Sequence, residues 1–328
     1  MKSIVYTKYG SPDVLELKDV PKPSPLDNEV LVEIHAAAVN AYDWHFLTAD
    51  VFLIRLMSGG MLKPKKTTLG ADIAGKVIEV GNGINKFQIG DDVFGIAKGG
   101  SGGFAEYVCA NEKSVVLKPA NVTFEEAAAA PMAALTALQG LRDIGQIKAG
   151  QKVLIHGASG GVGTFAIQIA KAYDTHVTAV CSSRNVETAR SIGADHVIDY
   201  TNEDFTKNGE LYDLILVANG SRSILEFKRS LKPTGICVLA GGGSNSIPQL
   251  LAGMVLEWWI SKTEGKKVSS FIAKINQKDL STIKELFETG KVKPVIDRTY
   301  PLSDTAEALR YLGEGHAKGK VIVTLEDK

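Results

Sequence analysis

The chain has 328 residues, 45% of them hydrophobic and 23% charged, a length beyond what one core usually serves, so two domains are expected. Its 37 basic and 37 acidic side chains cancel, which excludes a global field for nucleic acid or an anionic membrane and leaves a ligand recognised locally. Three widely spaced cysteines without a metal or redox motif, an N-terminus without a signal-like apolar run, and no apolar stretch long enough for a bilayer predict a cytoplasmic protein without disulfides or stable membrane insertion.

Residues 1–122 read as short alternating runs at 3–7, 14–20, 30–36, 73–80, 92–95 and 104–108, separated by Gly, Pro, Asn and Asp. Val30, Val32 and Ile34 fall on one face of such a run and Leu31, Glu33 and His35 on the other, the pattern of a half-buried strand. Many short strands with little helix predict a small antiparallel barrel or sandwich. The texture changes at Thr123, where Thr123 and Glu126 form a capping box before an alanine-rich helix expected over 125–141. Strands are then expected at 152–156, 176–180, 196–199, 212–217, 235–239 and 266–272, with helices at 162–173, 184–192 and 221–231. That alternation predicts a doubly wound parallel sheet covered on both faces. A helix at 279–289 and a final strand from Lys320 close the chain. The domains expected are therefore 1–122 joined with 275–328, and 123–274.

Chemistry concentrates where the first parallel strand ends. Gly157-Ala-Ser159-Gly160-Gly161-Val162-Gly163 lies between a buried strand and an amphipathic helix. Glycines there allow a tight turn, close backbone approach to a pyrophosphate and close seating of the helix, whose positive end then meets the phosphates. A cofactor without a 2′-phosphate normally meets an Asp or Glu at the tip of the next strand. Here that tip reads Cys181-Ser182-Ser183-Arg184, and hydroxyls with a guanidinium suit a phosphate dianion, so NADPH is the expected cofactor. Helix capping by the serines, with Arg184 in solvent, is the plain alternative. Asn219 with Gly220, and Gly241 with Gly242, follow later strands at their carboxyl ends, where open sheets bind ligands.

Several stretches together resemble the medium-chain dehydrogenase/reductase superfamily in its zinc-independent quinone oxidoreductase branch. They are the Asn40-Ala-Tyr42-Asp43-Trp44, Gly70-Ala-Asp72, Gly90-Asp-Asp-Val-Phe-Gly95, Gly103-Phe-Ala-Glu-Tyr-Val108, Leu135-Thr136, His156-to-Gly163, Lys293-to-Asp297 and Gly315-to-Val321 segments, in family order along nearly the whole chain. The resemblance implies an α/β protein with a GroES-like antiparallel β catalytic domain built from both termini, a central Rossmann domain, and a homodimer formed through sheet edges. Zinc alcohol dehydrogenases carry a Cys where Asn40 stands and a His-Glu pair where Ala71-Asp72 stands. Neither Asn nor Ala replaces those ligands, so no metal is expected. Without a Lewis acid, acceptors that already take hydride readily are the expected substrates, namely quinones and small hydrophobic α,β-unsaturated carbonyls.

The same resemblance places Asn40 near the nicotinamide and the substrate carbonyl, Thr136 near the nicotinamide or else back-bonded to its own turn, and Tyr200 near the adenosine phosphate or else packed at a strand end. Trp44 and Thr136 are expected to meet the substrate, and Lys318 and Lys320 either add charge near the cofactor phosphate or are simply solvated. Tyr42 stands where family members more often carry an aliphatic residue; its phenol suits a hydrogen bond or a proton to the carbonyl, or plain aromatic packing. Asp43 and Asp72 read as buried carboxylates holding loops, and His156 as a packed core residue. The apolar-then-basic insertion at 51–66 suggests a lid, and 250–260, with Trp258 and Trp259, a core or interface stripe. Val217-Ala218 departs from the acid or threonine usual in the family, which keeps open a second class of function: a cofactor-holding interaction protein with little turnover. A zinc alcohol dehydrogenase is the third and least favoured reading.

Overall fold

The alternating runs near the N-terminus form strands β1 (Lys2–Val5), β2 (Glu16–Asp19), β3 (Glu29–Val39), β4 (Asp72–Val80), β5 (Asp92–Ile96), β6 (Tyr107–Asn111) and β7 (Val115–Leu117). They are seen in a computed structural model that describes residues 1–50, 55, 60–220, 222–240, 262 and 265–325. The chain divides into two units. One comprises Met1–Met132, Ile275–Gly290 and Pro294–Lys328, the other Ala133–Lys274 and Lys291–Lys293.

In the second unit the predicted alternation is present as β8 (Lys152–His156), β9 (His176–Cys181), β10 (His196–Asp199), β11 (Tyr212–Val217), β12 (Leu231–Leu239) and β13 (Lys267–Ser270). All neighbours pair in parallel, in the order β10-β9-β8-β11-β12-β13. The order reverses between β8 and β11, and open sheets bind ligands at that switch point. Leu154, Ile155, Val180, Ile215 and Leu216 are buried within the sheet, as strands covered on both faces require.

In the first unit β14 (Ile296–Pro301) and β15 (Lys320–Thr324) return from the C-terminal part and join the sheet β14-β15-β3-β4-β5-β7, with β6 on β3. β3 is its axis, paired antiparallel with β15, β4 and β6. The sequence predicted this strand half-buried; instead Val30, Leu31, Val32, Ala36, Ala37, Ala38 and Val39 are all buried. A strand with neighbours along both edges and a helix over its second face has little surface left. His35 on that second face stacks on Phe124 at 4.3 Å.

Two helical expectations change. The single helix over 125–141 is broken into Phe124–Ala128 and Pro131–Gln139. Pro131 has no N–H to continue the first helix and its ring disfavours helical geometry just before it, whereas at the head of a second helix it fits. Helices Ala41–Thr48 and Thr305–Gly313 lie in the strand-rich unit, which was expected to hold little helix. Among the described residues no helix is long and apolar enough to cross a membrane.

Candidate active site

The glycine turn has the geometry a pyrophosphate needs. Gly157 has φ +76, and a Cβ there would come within 2.7 Å of the Asn219 backbone N. A Cβ on Gly163 would come within 2.2 Å of Gly157 O, so the helix sits against the turn as only glycine permits. Gly160, extended at φ −81 and ψ 176, caps the 12-residue helix Gly161–Ala172 without a side chain over its first N–H groups. Ser159, Gly161 and Val162 are half-buried beside it. His156 ends β8 as a core residue: its Nδ1 lies 2.6 Å from Asn219 O, its ring meets Phe227 edge-on, and burial lowers its pKa. A Cβ on Gly220 would collide with that ring at 2.2 Å, so the histidine ties the first glycine turn to the loop after β11.

Ser182, Ser183 and Arg184 follow β9 as expected, with Arg184 exposed. The sequence reading missed an acid beside them. Parallel pairing sets Asp199 on β10 opposite Cys181, and Ser183 Oγ donates to Asp199 Oδ2 at 2.5 Å. That hydrogen bond, with those from Thr201 and Asn202, holds the Asp199 carboxyl below its usual range, so it is ionised. Ser182 Oγ accepts from Asn185 Nδ2 at 3.1 Å, while the buried Asn185 Oδ1 has no partner. Tyr200 is 55% exposed. Gly241, Gly242 and the 250–260 stripe lie outside the described residues, as do 51–54 and 56–59 of the 51–66 insertion.

In the first unit, three strand ends bring polar side chains together. Val321 pairs with Val39, which sets Lys320 across from Asn40, and Ala38 pairs with Asp72 on the other edge of β3. Asn40 Oδ1 accepts from Lys320 Nζ; Asn40 Nδ2 donates to Asp72 Oδ2 at 3.0 Å and to Ala38 O at 3.2 Å. Lys320 Nζ also lies 3.5 Å from Asp72 Oδ2. Lys320 was expected beside the cofactor phosphate; its ammonium is instead buried in this cluster, because the register of β15 on β3 turns it inward. Burial lowers the Lys320 pKa and raises that of Asp72, and their mutual attraction opposes both shifts.

The carboxylates do hold loops, as read from the sequence. Asp43 accepts the N–H groups of Asn40 and Gly70, each at 2.9 Å, joining the start of the Ala41–Thr48 helix to the turn before β4. Burial pushes its pKa up to about 7 despite those donors. Asp72 Oδ1 accepts Met132 N–H at 3.0 Å. Tyr42 is half-buried, its ring 4.3 Å from Phe46, its hydroxyl beside Gly100, and its pKa pushed up to about 12 by burial and then by Asp43. Nearby Tyr6 was not singled out from sequence; it is 1% exposed and its hydroxyl has no partner. Trp44 packs its indole where a Cβ on Gly313 would lie 2.3 Å away, and Lys318 is exposed with its N–H on Asp297. Thr136 is half-buried in the helix Pro131–Gln139 of the other unit.

The alcohol dehydrogenase GroES-like family model matches residues 26–120, and a zinc-binding dehydrogenase model matches residues 192–323. The chloroplast envelope quinone oxidoreductase homolog of Arabidopsis thaliana is 35% identical over 339 residues, covering 98% of each chain. This chain belongs to the quinone oxidoreductase branch of the medium-chain dehydrogenase/reductases. Similar also are the chloroplastic NADPH-dependent alkenal/one oxidoreductase of Arabidopsis thaliana, 32% identical over 98% of this chain and 79% of its own, and the structure of the quinone oxidoreductase from Coxiella burnetii, 33% identical with TM-score 0.86 over 99% of both. The α/β fold with GroES-like and Rossmann parts is thus that of this family. Among the described residues no group of three His, Cys, Asp or Glu side chains is placed to hold a metal ion.

Proposed function

We propose that this quinone oxidoreductase relative is an NADPH-dependent reductase of quinones or α,β-unsaturated carbonyls that works by direct hydride transfer without metal. The observation that carries the reading is the donor set at Asn40: an amide locked by Lys320 and Asp72, with neither thiolate nor imidazole for zinc. The relatives named for quinone and alkenal/one reduction support the acceptor class.

The residues present fit a dinucleotide, since Gly157 and Gly163 pack the turn too closely for any Cβ while Gly160 is uncrowded and leaves the first N–H groups of the helix uncovered. Gly157, Ser159, Gly160, Gly161, Val162 and Gly163 would hold the pyrophosphate; Ser182, Ser183 and Arg184 the 2′-phosphate; and Tyr200, Asn219, Gly241, Gly242 and Lys318 the rest of the cofactor. When bound, NADPH supplies the hydride. Asn40 and Tyr42 would hydrogen-bond the acceptor oxygen as it gains charge, with Trp44 and Thr136 shaping the acceptor's surroundings. A phenol whose pKa is pushed up to about 12 stays protonated, which suits Tyr42 to hydrogen bonding better than to proton delivery.

The proposed assembly is a homodimer paired through β13, which ends the sheet among the described residues and is followed by the exposed Ile272 and Ile275. The cytosol is the proposed compartment, in keeping with three buried cysteines that form no disulfide. The test is NADPH oxidation with phenanthrenequinone and with a medium-chain enone, beside NADH. Val217-Ala218 at the end of β11 favours the rival reading of a cofactor-holding interaction protein, and NADPH binding without reduction of any acceptor would select it.

A further inference from the structure

The buried lysine meets neither acceptor nor cofactor in the reading above, and its surroundings assign it a role through Asn40. A lysine is rarely buried unless paired, and Lys320 is 3% exposed at the head of a strand whose other residues are mainly apolar. Nothing in the sheet itself requires a charge there, because an apolar residue would complete β15 as well as Val321 and Ile322 do. What the ammonium touches is specific: Asn40 Oδ1 on one side and Asp72 Oδ2 at 3.5 Å on the other. The other carboxylate facing it, Asp43, already accepts two backbone N–H groups and does not compete for it.

These contacts leave the Asn40 amide one orientation. Flipped, it would press its NH2 against the ammonium and its oxygen against Ala38 O and the Asp72 carboxylate, three repulsions in place of three hydrogen bonds. With Oδ1 on Lys320, both Nδ2 hydrogens point away from the lysine, one to Asp72 and one to Ala38 O. The bond to Ala38 O, at 3.2 Å and to a neutral acceptor, is the weaker, and it is the one an incoming oxygen can displace.

We propose that Lys320 is the positioning residue of Asn40: its buried ammonium, held in place by Asp72, fixes the amide so that Nδ2 rather than Oδ1 is offered to the oxygen of a carbonyl or quinone acceptor. The proposal rests on the reading of Asn40 as the group that meets the acceptor oxygen. It makes Lys320 act through Asn40 and not on the acceptor or the cofactor.

The test compares K320M, K320R, the doubly neutral D72N/K320M, N40A and N40A/K320M. The doubly neutral protein guards against a K320M chain that fails to fold around an unpaired Asp72. K320M and D72N/K320M should lower kcat for an enone by about 10²-fold, the usual cost of losing one oriented donor, with the Kd for NADPH within about twofold of the parent. K320R should recover most of the loss. In the N40A background, adding K320M should change kcat by less than about twofold, because the group it positions is gone. The side-chain amide resonances of Asn40, read by NMR without any acceptor, should shift in K320M and D72N/K320M and stay near the parent in K320R. A silent parent with shifted Asn40 signals would sink the reductase reading while supporting the positioning contact. Unshifted Asn40 signals in the variants, or a K320M loss as large in N40A as in the parent, would overturn the role of Lys320.

Discussion

Replacing Asp43 with Asn tests whether a buried, proton-holding carboxylate braces the loop that carries Asn40. In Asp43→Asn the new carbonyl oxygen can accept one of the two N–H groups, from Asn40 or Gly70, and the amide hydrogens face the other. One buried N–H left unpaired costs about 1–3 kcal/mol. The pH dependence separates this account from generic destabilisation. Because burial raises the Asp43 pKa from 3.8 to about 7, the folded protein keeps a proton that the unfolded chain has released. Stability from this group is therefore fully present below the ordinary carboxylate range and is lost as pH rises to about 7; with the unfolded state binding fewer protons, the slope is negative, roughly 1.4 kcal/mol per pH unit and on the order of 4 kcal/mol in all. Asp43→Asn has no such proton to lose. The assay is urea unfolding at several pH values between about 4 and 9, followed by Trp44 fluorescence in a Trp258→Phe, Trp259→Phe background, since Trp44 adjoins Asp43 in the chain. The parent should be the more stable at acid pH, the gap should close as pH rises, and by about pH 8 the order should reverse, because the roughly 4 kcal/mol lost by the parent exceeds the cost of about 1–3 kcal/mol in the variant. Curves that run parallel across the range would refute the reasoning.

Arg184→Ala should weaken NADPH binding about 10- to 100-fold and leave NADH unchanged, measured by fluorescence titration with each cofactor. Asp199→Asn removes an ionised group one hydrogen bond from Ser183, so the same titration should show the preference for NADPH rising roughly threefold. Gly163→Ala forces a methyl to within 2.2 Å of Gly157 O; it should cost about 1–3 kcal/mol in denaturant unfolding and abolish tight binding of either cofactor. Tyr42→Phe should lower kcat by about 10²-fold at unchanged cofactor affinity, with no new pH dependence below about pH 10, because the parent phenol is neutral throughout that range.

The Rossmann part was readable because its signals are local: a buried run, Gly157 to Gly163, and an amphipathic helix stand consecutively in the chain. The helix Ala41–Thr48 was not read, since Tyr42, Trp44 and Phe46 alternate with period two like a strand, and its start is marked only by Asn40 and Asp43, three residues apart. Lys320 and Asp199 could not be placed from sequence because each acquires its meaning from strand pairing. Lys320 meets Asn40 across 280 positions, through the register of β15 on β3. Asp199 meets Ser183 only because β10 and β9 run side by side. The alanine-rich segment after Thr123 was read as one helix because its composition outweighed a proline whose position, at the head of a second helix, depends on the packing around it.

The most direct test of the account is to supply NADPH deuterated at the transferable C4 position, with a medium-chain enone, to protein dialysed against a chelator, and to locate the label by mass spectrometry and NMR. Direct hydride transfer without metal predicts a saturated ketone carrying deuterium at its β-carbon, formed at the same rate before and after chelation. Product labelled from solvent at that carbon, or activity lost to the chelator and restored by zinc, would contradict it.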